Sequence, residues 1–381
     1  MSADGRVTLF LCGDVMLGRG VDQLMPEPGD PELREEYVRD ARGYLELAEA
    51  VNGPIRRPVD PAWPWGDALQ LLDERAPEVR VINLETSVTR SDDFEPYKAV
   101  HYRMNPANVG CLTVARPDVC VLANNHVLDF GRRGLVETLD VLAAARLATA
   151  GAGESAVEAW RPAVVQLKHD GRVLVSSAGA SSSGIPPTWA ARPDRPGVAF
   201  LPRLSVRAAA EVAARMRLLR RPGDITVASV HWGSNWGYAV DSDQRAFAHA
   251  LIDGGVDIVH GHSSHHPRPM EVYRDRLILY GCGDFIDDYE GIRGHEAYRD
   301  DLRLLYLASV DAATGALVEL QMVPFQARQM RLCRASEEDA GWLGDRLTRV
   351  SRDLGSQIEV LADGSLTLHW HRHGTEEEPG A

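Results

Sequence analysis

The sequence predicts a layered α/β fold, on three observations. Short runs rich in Val, Ile and Leu recur along the chain, and buried parallel strands read in this way. Segments of helical spacing separate several of these runs. Five of the runs end in side chains that can bind a metal: Asp14, Glu85, Asn125 with His126, His231, and the turn His260–His266. In open α/β sheets, ligands gather at the carboxyl ends of parallel strands. Polar groups repeated at that position therefore have a common place to meet.

Taken in order, Val7–Cys12 is β-branched and apolar and ends in Gly13-Asp14, so it reads as the first buried strand. The stretch from Arg19 to about Pro64 is polar and proline-containing. Pro31 to Val51 has helical spacing with many acidic residues and is expected as a surface insertion or lid. Trp65–Arg75 reads as a helix, and Val79–Glu85 as the second strand. A polar loop from Arg90 to Arg103 precedes the third strand, Val119–Ala123, which runs into Asn124-Asn125-His126. Leu135–Ala145 is an alanine- and leucine-rich helix.

The second half repeats the alternation. Arg172–Ser177 reads as a strand, Ser181–Pro187 as a loop and Leu204–Arg220 as an amphipathic helix with its arginines outward. Ile225–Val230 is a strand ending in His231-Trp232-Gly233. Asp243–Ile252 is a helix leading to Val256–Val259 and the histidine-rich turn. Arg276–Tyr280 is a strand running into Gly281-Cys282-Gly283-Asp284. Asp301–Val310 and Leu317–Phe325 form an antiparallel pair, Ser336–Leu354 a charged helix, and Glu359–Thr367 a hairpin about Asp363-Gly364. His373–Ala381 reads as disordered. The organisation expected is a main domain over 1–330, with an insertion at about 19–64, and a C-terminal helix, hairpin and tail over 331–381.

Composition narrows the function. Hydrophobic residues make up 44% and charged residues 25%, as in a soluble globular protein. The formal charge of −14 argues against a nucleic-acid binder built on phosphate contacts. The cysteines, Cys12, Cys111, Cys120, Cys282 and Cys333, are odd in number and dispersed, which fits small buried hydrophobes rather than a disulfide frame. No run matches a signal peptide or a membrane span, so a cytoplasmic protein without membrane association is expected.

Four histidines fall within seven residues, His260, His262, His265 and His266. One histidine in a loop is ordinary. Four at a strand end suit a divalent metal, because each neutral ring offers a nitrogen lone pair. Mixed oxygen and imidazole donors suit Mn, Fe or Zn, and Ca less well.

Here the chain resembles a known family. Gly13-Asp14-Val15-Met16-Leu17-Gly18-Arg19, Asn83-Leu84-Glu85, Asn124-Asn125-His126-x-x-Asp129-x-Gly131, His231-Trp232-Gly233, Gly261-His262-x-x-His265 and Gly281-x-Gly283-Asp284-Phe285 are similar to the motifs of the capsule poly-γ-glutamate biosynthesis (CapA-type) proteins. These form a branch of the calcineurin-like metallophosphatase superfamily. The resemblance implies a four-layer αββα sandwich with the metal site at the strand ends. It implies one or two divalent metals held by Asp14, Glu85, Asn125, His231, His262 and His265, with His126 as general acid/base. The chain departs from the superfamily where Asp-x-His is usual, having Asp14-Val15-Met16, and Glu85 stands where a bridging aspartate is usual. The chain also resembles the stand-alone epimerases of lasso-peptide biosynthesis, which invert the Cα of a C-terminal tryptophan.

Three activities follow. As a peptide epimerase acting on a precursor peptide, the protein would need a cation to stabilise an enolate and two acid/base groups about Cα. His126 and His295 are the candidates, with Asp284 as a replacement, and Lys98, Arg103 or Arg293 would hold the terminal carboxylate. As a phosphoester hydrolase it would use His126 to protonate the leaving oxygen. As a binding module for a capsule polymer it would turn nothing over. The oligomeric state is open.

Overall fold

Alternate residues of the first strand, Arg6–Val15, enter two different cores. Leu9 and Leu11 pack toward a second sheet, whereas Phe10 and Cys12 pack toward helices. This is the period-two alternation of a strand covered on both faces. The strand Ile225–His231 does the same from the other side, with Ile225 and Val227 facing the first sheet and Ala228 and Val230 facing helices. The structure, a computed structural model, describes residues 5–96, 98–168 and 171–370.

Two sheets therefore stack face to face. In the first, Arg6–Val15, Val79–Leu84, Val119–Val121 and Ala148–Ala150 run parallel in that order. The antiparallel pair Leu302–Asp311 and Leu317–Ala327 extends it beyond Arg6–Val15, and the hairpin Ser356–Val360/Leu366–Trp370 adds the edge. In the second, Arg172–Ala180, Ile225–His231, Ile258–His262 and Arg276–Leu279 are parallel. The helices Arg42–Asn52, Asp67–Arg75 and Gly131–Ala144 cover the first sheet through Leu45, Leu72 and Leu135. Val206–Arg217 and Ser242–Asp253 cover the second through Val212 and Phe247. Each such side chain contributes about 1.5–3 kcal/mol by leaving water. The result is the four-layer αββα sandwich that the family motifs imply.

Local chemistry accounts for the boundaries. Ser205 starts the helix Val206–Arg217 by accepting the Ala208 N–H at 3.2 Å. All five cysteines are free, and Cys12, Cys111, Cys120 and Cys282 are buried.

The structure corrects several expectations. Residues 19–64 are not a surface insertion: Val21, Leu24, Met25, Leu33, Tyr44 and Ile55 are buried in the helix-side core. The helix expected over Pro31–Val51 starts only at Arg42, after an irregular stretch closed by a Glu32–Asp40 bridge. Prolines at 26, 28 and 31 keep the preceding chain out of helix. The strand after the helix Ser242–Asp253 continues through Gly261-His262, so His260 and His262 belong to the strand rather than to a turn. Short strands at Ala148–Ala150 and Ala163–Gln166 carried too little apolar pattern to be read. The expected disorder of His373–Ala381 lies outside the described residues.

Candidate metal centre

Strand register builds this site. Asp14 lies opposite Asn83 on one neighbour and opposite Asp284 on the other. In the second sheet His231 lies opposite His262. The carboxyl ends of both sheets thus bring their polar groups to one place. Close approach requires Gly13, because a Cβ there would lie 1.5 Å from the Gly283 carbonyl oxygen.

Asp14, His231 and His262 each present a ligand atom within 4.8 Å of the others. The Nδ1 atoms of His231 and His262 are 2.7 Å apart, and His231 Nε2 lies 2.7 Å from Asn125 Oδ1. Glu85 Oε2 is 3.7 Å from His231 Nδ1. The Asn83 amide donates to Asp14 Oδ1 at 2.7 Å and to Glu85 Oε2 at 2.9 Å. Asp14 Oδ2 is buried and has no partner.

Electrostatics point the same way. Burial, then the charge of Asp284, pushes Asp14 up to about 7. Burial and the charges of Asp14 and Asp284 hold Glu85 well above the usual carboxylate range. Burial holds both His231 and His262 far below the usual imidazole value, so both rings are neutral. Crowded, desolvated carboxylates, neutral imidazoles and a carboxylate oxygen with no donor fit a divalent cation.

His126 lies beside this cluster, its Nε2 3.9 Å from Glu85 Oε1. Its Nδ1 faces Asp129 Oδ2 at 2.7 Å and Lys98 Nζ at 2.9 Å. Asn124 holds the turn by accepting the His126 and Val127 N–H groups at 3.1 and 3.0 Å. Burial, opposed by Asp129, pushes His126 down to about 4. Its ring is neutral, with Nε2 directed toward the cluster.

His265 stands at the edge, outside the three-residue group. Its Nδ1 lies 3.0 Å from Asp284 Oδ2, and its Nε2 2.9 Å from the Asn235 amide. Burial opposes its charge, but Asp284 raises it above the usual imidazole value. His260 and His266 are held by backbone: His260 Nε2 by the Cys12 carbonyl at 2.8 Å, and His266 Nε2 by the Gly237 N–H at 3.1 Å.

Other expected residues are elsewhere. Lys98 is consumed by Asp129 and the Asn125 carbonyl, so it orders the His126 turn rather than waiting for a carboxylate. Arg103 donates to the Ser91 and Asp30 carbonyls at 2.9 Å each and stacks over Phe130. Arg293 is exposed on a cavity of about 700 Å³ shared with Leu47, Glu290 and Arg303. His295 stacks flat on Trp236, centroids 3.7 Å apart, and Trp236 in turn meets His265 at 5.2 Å. It is part of an aromatic rim.

Sequence reasoning quoted Asn83 in a motif without giving it a role, and missed Ser229. Asn83 precedes Glu85 by two residues, the spacing that puts side chains on one face, so its role had a signal. The Ser229 hydroxyl lies 2.9 Å from His262 Nε2 and 3.1 Å from His260 Nδ1. Only strand pairing reveals it.

The family described as bacterial capsule synthesis protein PGA_cap matches residues 8–289. A protein of Mycobacterium tuberculosis (strain ATCC 25618 / H37Rv), named a probable polyglutamine synthesis accessory protein, is 55% identical over 363 residues, covering 95% of this chain and 96% of its own length. The PGA biosynthesis protein CapA of Bacillus subtilis (strain 168) is 31% identical over 293 residues, or 75% of this chain and 64% of that protein. The capsule biosynthesis protein CapA of Bacillus anthracis is 25% identical over 284 residues, 74% of this chain and 60% of its own. With the family's match spanning Asp14, Glu85, Asn125, His231 and His262, this chain belongs to the bacterial capsule synthesis protein PGA_cap family.

Proposed function

We propose that this protein is a metal-dependent phosphoester hydrolase serving the synthesis of a polyglutamate-type polymer. The observation that carries the reading is the convergence of Asp14, His231 and His262 beside the neutral His126–Asp129 pair. Asp14, Glu85, Asn125, His231 and His262 would hold the cation, with His265 and Asp284 at the edge. A bound cation would supply Lewis-acid stabilisation of charge on a phosphoryl oxygen. The polymer link comes from the relatives, named for polyglutamine synthesis and for PGA biosynthesis.

The chain's own groups divide the remaining work. Asp129 accepts from His126 Nδ1 and fixes the tautomer that leaves Nε2 as the reactive nitrogen. Lys98 lies against Nδ1, and its charge disfavours a second proton on the ring at Nε2, so His126 holds that proton only briefly. His126 Nε2 takes a proton from the attacking group and returns it to the leaving oxygen. Asn83 keeps Asp14 and Glu85 together while both are desolvated.

The test is phosphate release from a panel of phosphoesters by chelated and by cation-reconstituted protein. Release that needs the cation and falls with His126→Ala supports the reading. A panel left intact by the reconstituted protein contradicts it.

A second reading is supported by one observation: His126, beside Glu85, and His265, on the Asp284 that pairs with Asp14, stand on two sides of the Asp14–His231–His262 group. A neutral base and a charged acid about one cation site suit removal and return of a Cα proton. In that reading the substrate is a precursor peptide whose C-terminal residue, tryptophan in the epimerases the motifs resemble, is inverted. Incubation with such a peptide in D₂O separates the readings. Deuterium at Cα with inversion supports the epimerase, and an unlabelled peptide excludes it.

A further inference from the structure

Two tyrosines join His126 to His265. The Tyr102 ring meets the His126 ring edge to face, with centroids 4.5 Å apart and planes at 85°. The Tyr289 ring meets His265 in the same way, at 5.2 Å and 83°. Tyr102 donates its hydroxyl proton to the Tyr289 hydroxyl at 2.6 Å. The contacts form one series, His126–Tyr102–Tyr289–His265. Its ends are the two histidines that flank the Asp14–His231–His262 group, one beside Glu85 and the other on Asp284.

The two rings are anchored unequally. Tyr102 is fully buried, and its backbone N–H donates at 2.7 Å to Asp129 Oδ2, the oxygen that faces His126 Nδ1. Tyr289 is half-buried and lines the cavity of about 700 Å³ beside Leu47 and Ile292, so there is open space on one side of it. Its backbone N–H reaches Asp287 Oδ1 at 3.1 Å. The tip of its ring is tied by Tyr102 and, at 3.9 Å, by Met16 Sδ. The Arg19 guanidinium lies over both rings, 4.4 Å from the centre of Tyr102 and 5.7 Å from that of Tyr289. A hydrogen bond at Nδ1 fixes one atom of an imidazole, but rotation of the ring about its own side-chain bond is soft. Packing sets that rotation, and an edge-to-face neighbour sets it with a preferred geometry.

We propose that Tyr102 and Tyr289 act as one positioning unit, whose hydroxyl–hydroxyl bond holds the rings of His126 and His265 in fixed relation across the cation site. With the bond made, Tyr289 stays against His265 instead of turning toward the cavity, and Tyr102 stays against His126. Small displacements of an acid/base group are costly in rate, so a tie between the two histidines has a catalytic consequence. The tie itself rests on the contacts. Its consequence for rate rests on the reading of these histidines as groups that work beside a bound cation.

The test uses the full chain with ¹⁵N-labelled histidine, as wild type, Tyr102→Phe, Tyr289→Phe and the double variant. Tyr273→Phe, at a ring stacked on His249, is the control. Phenylalanine keeps each ring and removes the bond. Ring spectra assigned with His126→Ala and His265→Ala give the first readout. Tyr289→Phe should shift the His126 resonances as well as those of His265, and Tyr102→Phe those of His265 as well as those of His126. A local packing role would move only the histidine in contact. Tyr273→Phe should move neither. In phosphoester turnover each single variant should lose about three- to tenfold in kcat, the scale of one neutral hydrogen bond, at unchanged KM and cation content. The double variant should lose no more than either single one, because the same bond is broken in all three. Shifts confined to the neighbouring histidine, or losses that multiply in the double variant, would overturn the proposal. Tyr289 is half-buried, so its variant carries the test by itself where Tyr102→Phe fails to fold. Coupled shifts in a protein that turns over no phosphoester would leave the positioning pair standing and contradict the hydrolase reading alone.

Discussion

His231 and His262 face each other with their Nδ1 atoms 2.7 Å apart, on neighbouring parallel strands of the second sheet. His262 Nε2 is held from behind by the Ser229 hydroxyl, while His231 Nε2 faces Asn125 Oδ1. Groups behind a ligating imidazole set its tautomer and orientation. Ser229→Ala should therefore weaken divalent-cation binding by about 10- to 100-fold with the fold intact. Calorimetric titration checks this, and wild-type affinity in the variant would show that the hydroxyl is only a packing group.

His126 and Asp129 should matter for turnover but not for cation retention. His126→Ala should cost about 10²- to 10⁴-fold in rate, as expected for a positioned acid/base group. Asp129→Asn should cost rate too, because Nδ1 then loses its anionic acceptor. Metal content by mass spectrometry should equal that of wild type in both. Loss of the metal instead would place His126 among the groups that hold it.

Cation affinity should depend on pH with a definite sign. Without a cation, Asp14 is raised to about 7, chiefly by burial and then by Asp284, so it is mostly protonated below that pH. A cation must displace that proton. Apparent affinity should fall about tenfold per pH unit as pH drops below 7 and level off above it. Glu85, also raised, would steepen the slope if its proton leaves as well. His231 and His262 are already neutral here and add no competition. A flat profile between pH 5.5 and 8 would contradict this protonation scheme.

Arg19 ties residues 19–64 to the loop that follows Asp284. It is 3% exposed and grips Asp288 with two bonds, 2.8 and 2.5 Å long, while its Nη1 reaches Glu35 at 2.9 Å. Tyr44 lies beneath the guanidinium at 3.6 Å. Arg19→Met would leave two buried carboxylates unpaired and should cost about 3–5 kcal/mol of stability. Denaturant titration reads this. A loss below 1 kcal/mol would show that the carboxylates find other partners or protonate.

The core strands were legible because apolar runs covered on both faces leave a continuous pattern, as in Val7–Cys12 and Ile225–Val230. The strand ends were legible for the same reason, which is why Asp14, Glu85 and His231 could be named together with the histidine-rich turn. The histidine cluster was readable as a group but not residue by residue. His260 and His262 share a strand face, yet His260 lies deeper, on the Cys12 carbonyl. Ser263, with φ of 103°, then redirects the chain so that His265 meets Asp284 and His266 turns to Gly237. That turn depends on partners far away in sequence. Arg103 and Lys98 misled for a related reason: a basic residue in a polar loop looks free until its carbonyl and carboxylate partners, Ser91, Asp30 and Asp129, are brought to it. Residues 19–64 were misread because their buried positions are scattered among charges that pair internally, Arg19 with Glu35 above all.

The most direct test of the central claim is the phosphate released from a phosphoester by wild type and by Asp14→Asn, each titrated with Mn²⁺ or Zn²⁺ after chelation. The account predicts that wild type gains activity as one or two equivalents of cation bind. Asp14→Asn, which keeps the volume and the Asn83 contact but loses the charge, should neither bind the cation tightly nor turn over. Full activity in the chelated wild type, or equal cation dependence in Asp14→Asn, would contradict it.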